Sequence, residues 1–255
     1  LFTDRLNYDL TTKIASYFEG ATLTNDTTHL TSKIGYYYVG DNMAFFKDSV
    51  VVVDPQFELK SDTLKFDTKE KITYFLGPTL ISQNEGKIYC EDGFYDIKNK
   101  KAEFEKKAQY QKGEEKAWAD LMTYDGNKKE TTLTGKARFI DGPKQAKADV
   151  IRYEEGKEIT NLEGNAFYKD ENQEIRSEKI RYDKKNDSIY VTNIAGPLKH
   201  LENNWKFIQK ENYTEVRFDV DFEIKNKFLN LIMTKSFQFG LNKIADAFQK
   251  KAESL

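Results

Sequence analysis

An aromatic residue returns every 29 positions along most of this chain: Tyr8, Tyr37, Phe66, Tyr95, Tyr124, Tyr153 and Tyr182. A fixed period of this length restricts the fold to a repeat architecture, in which each unit buries its apolar face only by packing on its neighbours. The residue after the aromatic is acidic in six of the seven units, namely Asp9, Asp67, Asp96, Asp125, Glu154 and Asp183, with Tyr38 the exception. An aspartate in that slot can bond its own backbone, so the pair marks a turn and requires no chemistry.

Other columns keep the same ruler. Nine residues after each aromatic stand Tyr17, Phe46, Phe75, Phe104, Leu133, Leu162 and Val191, all apolar. Thirteen after come Ala21, Val50, Thr79, Ala108, Ala137, Ala166 and Ala195; fifteen after come Leu23, Val52, Ile81, Tyr110, Phe139 and Tyr168, with Pro197 breaking the column. Two before stand Leu6, Gly35, Leu64, Gly93, Met122, Ile151 and Ile180. Apolar positions that step by two mean strands. In the third unit the expected strands are 63–66, 72–75, 79–81 and 87–90, with Gly77-Pro78 forcing a corner between them. Gly20, Gly135 and Gly164 recur in the corner slot, which Asp48 and Lys106 fill without glycine. Residues one period apart are expected side by side in a parallel ladder about 4.8 Å per rung, giving an open coil on the order of 30 Å long. Its two ends would expose unpaired backbone that needs a cap or another chain.

Charged residues make up 32% of the chain and the hydrophobic set 38%, a balance that suits half-exposed strands sharing a thin core. The net charge of −2, with both signs interspersed, argues against nucleic acid and against a polybasic membrane patch. Cys90 is the single cysteine, which excludes an internal disulfide and a thiolate metal cluster. No apolar run approaches the roughly 18 residues of a spanning helix, so no transmembrane segment is expected. No signal peptide is visible, and the start at Leu1 leaves room for a removed targeting segment.

Nothing in the sequence argues for catalysis, a metal or a cofactor. His29 and His200 are the only histidines and stand in unrelated segments, which gives no support to a histidine triad or a multi-histidine metal site. There is no glycine-rich phosphate loop, and Cys90 has no evident base nearby. Asp219, Asp221 and Glu223 alternate with apolar residues and read as the solvated face of a strand.

The rhythm changes after Val191. A strand is expected around 205–207, then another over 214–224, where Val216, Phe218, Val220, Phe222 and Ile224 alternate with charged residues. Leu229, Ile232, Met233, Phe237, Leu241, Ile244, Phe248 and Ala252 then follow at helical spacing. The expected organisation is a β repeat domain over 1–192 and a small α+β tail over 193–255 that ends in a long amphipathic helix. That helix would pack on the two tail strands or cap the coil; its mixed charges argue against a membrane-surface role.

The phrases LFTDRLNYDLTTKIASYF (1–18), LTSKIGYYY (30–38), LKSDTLKFDTKEKITYFLGPT (59–79) and YCEDGFYDIKNKKAEF (89–104) resemble the organic solvent tolerance family, the OstA- or LptA-like lipopolysaccharide transport proteins, in the form found in Bacteroidetes-type bacteria. The resemblance implies a twisted, open β-jellyroll whose two sheets enclose a greasy trough, stacked end to end with similar domains in the periplasm. The segments IAGPLKHLENNWKF (194–207) and EVRFDVDFEIKNKFLNLI (215–232) resemble the end of the START-like polyketide cyclase and coenzyme Q-binding family, which includes the ribosome association toxin RatA. Only the closing strands and helix of that family are matched, so a complete START cavity is not expected.

The expected function is therefore a non-enzymatic lipid-binding module for lipopolysaccharide transport across the periplasm to the outer membrane. Acyl chains would lie in a trough lined by Phe46, Phe75, Ile81, Phe104, Tyr110, Leu133, Phe139 and Leu162, with the small residues Ala108, Ala137 and Ala166 leaving space between the sheets. Two rival readings stand beside it. In one the tail dictates function, as a lipid or quinone binder or a ribosome-associated protein; in the other the columns are a filled structural scaffold and the aromatics a stacking ladder.

Overall fold

A computed structural model describes every residue except 172, 187, 193–197, 212, 225–241, 244–245, 247–248 and 251–255. The described residues are mainly β, with eighteen strands in one antiparallel sheet. The first five are short: β1 (Asn7–Asp9), β2 (Ile14–Tyr17), β3 (Ala21–Asn25), β4 (Thr28–Ser32) and β5 (Ile34–Tyr38). Ten long ones follow: β6 (Met43–Val53), β7 (Glu58–Asp67), β8 (Ile72–Gln83), β9 (Gly86–Asp96), β10 (Lys101–Lys112), β11 (Glu115–Asp125), β12 (Glu130–Asp141), β13 (Lys144–Glu154), β14 (Ile159–Lys169) and β15 (Glu174–Asp183). The sheet closes with β16 (Ser188–Thr192), β17 (Leu198–Gln209) and β18 (Thr214–Ile224). Pairing runs up and down from β6 to β18 without a crossover.

The parallel ladder expected from the period is therefore corrected. Strands β8, β10, β12 and β14 begin at Ile72, Lys101, Glu130 and Ile159, one period apart, and a second strand runs back between each pair. One unit is a hairpin of two long strands, and residues 29 apart lie two strands apart, about 9.6 Å. The aromatic column is accordingly not a stacking ladder. Read across the register it alternates with small residues: Tyr37, Ala44, Phe66, Thr73, Tyr95, Ala102, Tyr124, Thr131, Tyr153, Thr160, Tyr182. Doubling the strands also makes the sheet longer than seven rungs, about 70 Å along its hydrogen-bonding direction.

The expected corners are real but do not end strands. Register shifts fall at the same place in each long hairpin, between Lys47 and Val50, Leu76 and Thr79, Glu105 and Ala108, Thr134 and Ala137, and Glu163 and Ala166. The extra residue sits on β6, β8, β10, β12 and β14, at Asp48-Ser49, Gly77, Lys106-Lys107, Gly135-Lys136 and Gly164-Asn165, all with positive φ. A bulge bends its strand and increases its twist. A line of bulges crossing the sheet therefore creases it into two walls that meet at the crease.

Three contacts prove the fold-over. Thr160 of β14 pairs with Tyr182 of β15, and Tyr168 lies eight residues further along β14. A flat strand would put about 26 Å between them, yet the Tyr168 and Tyr182 rings stack with centroids 5.8 Å apart. Lys144, at the far end of β13, reaches the Tyr182 hydroxyl at 3.4 Å and lies over its ring.

The core lies between the walls in three rows. On the first wall Tyr17, Gly35, Phe46, Leu64, Phe75, Gly93, Phe104, Met122, Leu133, Ile151, Leu162, Ile180 and Val191 are successive register partners, and every one is buried. Beside the crease run Ala21, Ser32, Val50, Ser61, Thr79, Cys90, Ala108, Ala119, Ala137, Ala148 and Ala166, all small or medium and all buried. The space expected around Ala108, Ala137 and Ala166 is absent, since each is 1% exposed; small side chains are what fit where two walls converge.

Strand pairing continues across the expected boundary at 192, with β16 on β17 and β17 on β18. On β18 Arg217, Asp219 and Asp221 are exposed, while Phe218 and Val220 are half-buried. The long helix expected at the end of the chain falls outside the described residues except at Asn242, Lys243, Asp246, Gln249 and Lys250, which are α-helical; its extent lies outside the described residues.

Candidate functional site: the apolar interior and its seam

The third row of the interior runs along the second wall. Leu23, Leu30, Val52, Leu59, Ile81, Ile88, Tyr110, Ala117, Phe139, Ala146, Tyr168 and Ile175 are register neighbours without a break. It crosses twelve strands, about 50 Å, and no polar side chain interrupts it. Leu23, Leu30, Ile81, Ile88, Tyr110, Phe139 and Ile175 are only partly buried and pack against the core. The first-wall row is sealed throughout; in this one Val52, Leu59, Ala117, Ala146 and Tyr168 are buried and the other seven are partly accessible.

The expected lining residues divide between the two rows. Phe46, Phe75, Phe104, Leu133 and Leu162 lie in the sealed row, and Phe75 and Leu162 are each 1% exposed. Ile81, Tyr110 and Phe139 lie in the half-buried row. The first-wall row and the second-wall row are thus separate strips of one concave face. Leu23, Val52 and Tyr168 of the same column belong with Ile81, and so do Leu30, Leu59, Ile88 and Ile175, which the expected lining lacks. The missed signal is a further apolar column, at Leu30, Leu59, Ile88, Ala117, Ala146 and Ile175, which becomes a neighbour of the Ile81 column only through the hairpin.

The lips of the two walls differ in character. The first-wall lip carries the aromatic column, of which Tyr95, Tyr124 and Tyr153 are 37–39% exposed. It is built from stacked turns: the backbone N–H groups of Val39, Thr68, Ile97, Gly126, Glu155 and Lys184 donate to the carbonyls of Lys13, Asn42, Lys71, Lys100, Lys129 and Glu158 in the preceding unit. The aspartates after the aromatics accept N–H bonds within their own turns, as Asp67 does from Lys69 and Glu70. Across the seam the second-wall lip supplies Glu115, Lys144 and Tyr168. Burial first, then the neighbouring Glu158, Glu155 and Glu115, hold the Tyr153 hydroxyl above its ordinary pKa; burial and Glu115 do the same for Tyr110. These tyrosines are neutral donors near neutral pH.

At the N-terminal end a cavity of about 410 Å³ is lined by Phe2, Thr3, Asp4, Gly20, Ala21, Thr22, Thr31, Ser32 and Ser49. It opens beside the crease residues Ala21 and Ser32, and Phe2 (74%) and Leu10 (82%) are exposed near it in sequence. Cys90 is wholly buried, and burial raises its thiol to about 12, so it is no nucleophile. Among the described residues no group of histidine, cysteine and carboxylate side chains is arranged to hold a metal ion. Among them no helix is long and apolar enough to cross a membrane.

Comparison with known proteins gives three kinds of match. Among curated proteins, the ribosome association toxin RatA of Rickettsia prowazekii (strain Madrid E) is 29% identical over 62 residues, 24% of this chain and 42% of that protein. The chain thus spans less than half the length of that relative. Among solved structures, LptH of Pseudomonas aeruginosa, described as the LptA homologous periplasmic component of the lipopolysaccharide transport device, aligns over 62% of this chain and 87% of its own at 15% identity, with a TM-score of 0.24. Residues 1–62 match the family model described as OstA-like protein, and residues 132–249 match the one described as polyketide cyclase / dehydrase and lipid transport; both resemblances read from the sequence are thus shown, the first over the opening third of the stretch expected for it and the second over more than the closing strands and helix, beginning within the β repeat.

Proposed function

We propose that this chain is a non-enzymatic lipid-binding module of lipopolysaccharide transport, working in the periplasm on the route to the outer membrane. The observation that carries the reading is the unbroken apolar row from Leu23 to Ile175, in which seven of the twelve side chains, from Leu23 and Leu30 through Ile81, Ile88, Tyr110 and Phe139 to Ile175, are only partly buried. A globular core has no need of a strip some 50 Å long left partly open, whereas acyl chains do. The OstA-like match at one end and the lipid-transport match at the other agree with this chemistry. Ile81, Tyr110 and Phe139 make the contact surface, and Phe46, Phe75, Phe104, Leu133 and Leu162 form the floor. The edges at β1 and β18, whose residue registers among the described residues run only to β2 and to β17, are where similar jellyroll domains would add strands.

A filled scaffold is the second reading, favoured by the sealing of Phe75 and Leu162. The test is photo-crosslinking of labelled lipid A to a photoreactive residue placed at Ile81, Tyr110 or Phe139, with outward-facing Lys65 as the reference. Crosslinking at the three interior positions well above that at Lys65 is expected. Equal, background labelling at all four would leave the scaffold.

A further inference from the structure

The contacts that join one wall to the other are not spread evenly along the seam. Among the described residues, the ring-stacking and cation-over-ring contacts elsewhere stay on a single wall, as Lys65 over Tyr74, Tyr74 against Phe94 and Phe75 on Phe104 do. The cross-wall ones converge on Tyr182: Tyr168 stacks on it at 5.8 Å, and Lys144 lies 5.4 Å from its centroid with Nζ within 3.4 Å of its hydroxyl. One unit earlier Glu115 acts on the Tyr153 hydroxyl. Glu115 stands 38 residues before Tyr153, the same spacing as Lys144 before Tyr182. At Tyr182 the tyrosine of one unit meets the second-wall lip of the unit before.

These contacts are weak and separable. Tyr168 is buried while Tyr182 and Lys144 are half-buried, and one ring stack with one cation over a ring is a small fraction of what the backbone ladders contribute. The walls themselves hang on continuous backbone ladders and the bulged crease. Parting the lips breaks the first set and leaves the second intact. Next to Tyr168 in the register of the second wall stand the buried Ala146 and the partly buried Ile175, with the partly buried Phe139 beyond Ala146. Lys144, which sits over an uncharged ring, would remain at the opened lip as a cation beside an apolar slit.

From this geometry we infer that Lys144, Tyr168 and Tyr182 form a latch at which a single-chain anionic amphiphile loads sideways into the interior. Its tail parts the tyrosine pair and its head group exchanges the Tyr182 ring for the Lys144 ammonium. The inference rests on the lipid-binding reading and adds the place and direction of loading, which that reading leaves open between the seam and the ends of the sheet.

The test uses the full chain, with Cys90→Ala as background and cis-parinaric acid, a fluorescent fatty acid whose emission rises in an apolar site, as the probe. Tyr168→Cys and Tyr182→Cys are joined by a short, reducible bis-maleimide linker. Linking is expected to slow probe association at least tenfold, and reducing the linker to restore it. In the unlinked protein Tyr168→Ala is expected to raise the association rate severalfold. Lys144→Ala is expected to weaken binding of the fatty acid and not of its methyl ester. Failure of the pair to link would show that the walls do not meet there and would overturn the latch. Unchanged association in the linked protein would equally overturn it, placing loading at the ends while leaving the carrier reading intact. No probe binding to the unlinked protein at all would defeat the carrier reading itself, and the latch with it.

Discussion

Gly93 carries no side chain because a side chain there would collide with the Glu103 carbonyl oxygen on the next strand, and its φ of +144° disfavours any other residue. Its neighbours in the register, Phe75 and Phe104, spread over the vacancy and lie parallel, 6.0 Å apart at 8°. Tyr17 covers Gly35 in the same way and anchors its hydroxyl 2.6 Å from Ser32 Oγ. An aromatic ring over a strand glycine restores the packing that the glycine lacks. Gly93→Ala is therefore expected to destabilise by about 2 kcal/mol or more, while Gly40→Ala, where nothing lies within 4 Å of the added carbon, changes the urea midpoint little. Phe75→Ala empties the most tightly sealed ring site and is expected to cost about 3–5 kcal/mol in the same measurement. Cys90 offers a chemical check on burial: with its thiol held near 12, it is expected to resist a disulfide reagent at pH 8 until urea exposes it. Native reactivity matching that of free cysteine would mean that the crease opens there.

Hairpin turns show how far local chemistry could be read ahead of the structure. The aspartate after each aromatic was legible as a turn former, because its short carboxylate reaches the N–H groups two and three residues on, and Asp9, Asp67 and Asp125 make both of those bonds. The bulges were legible only as corners. A residue with positive φ looks like a chain reversal in sequence, and only the strand pairing on both sides shows that the ladder resumes. What no local pattern reported was the direction of the neighbour, since a strict period is equally compatible with one strand returning by a loop and with two strands in a hairpin. The turn carboxylates carry a pH signature. Bonds from the Asn99 side chain and backbone N–H hold Asp96 below its ordinary pKa, bonds from Asn186 hold Asp183 down likewise, and the N–H groups of Thr12 and Thr11 do so for Asp9. Groups depressed in the folded state stabilise it above the unfolded pKa, and that contribution disappears as the pH falls through the folded one. The urea midpoint is thus expected to fall as the pH drops below about 4. Asp96→Asn with Asp183→Asn should make that fall shallower; an unchanged slope would mean that these turns do not control acid stability.

At the scale of the molecule, the creased sheet is a linear array of hairpins, each in contact chiefly with the next, and this makes a length change the sharpest test of the architecture. Deleting 130–158 removes β12, β13 and their turns, one whole period. It joins β11 to β14, which has the direction and bulge position of the strand it replaces. The ladder then resumes in register, the sealed row passes from Met122 to Leu162, and Tyr182 takes Glu115 as its partner across the seam, as Tyr153 has now. The shortened chain is expected to keep a β-type circular dichroism spectrum and a cooperative urea transition, with an m-value lower by roughly a tenth, in proportion to the surface lost. Deleting 144–158 alone removes β13 and leaves β12 and β14 running the same way, joined at opposite ends of the two walls. A short connection cannot span that length, because parallel neighbours need a crossover of a dozen or more residues. This half-unit deletion is expected to abolish the cooperative transition. Survival of the 29-residue deletion together with loss of the cooperative transition in the half-unit deletion is the outcome that the hairpin repeat demands, and collapse of the 29-residue deletion would sink the 29-residue unit itself.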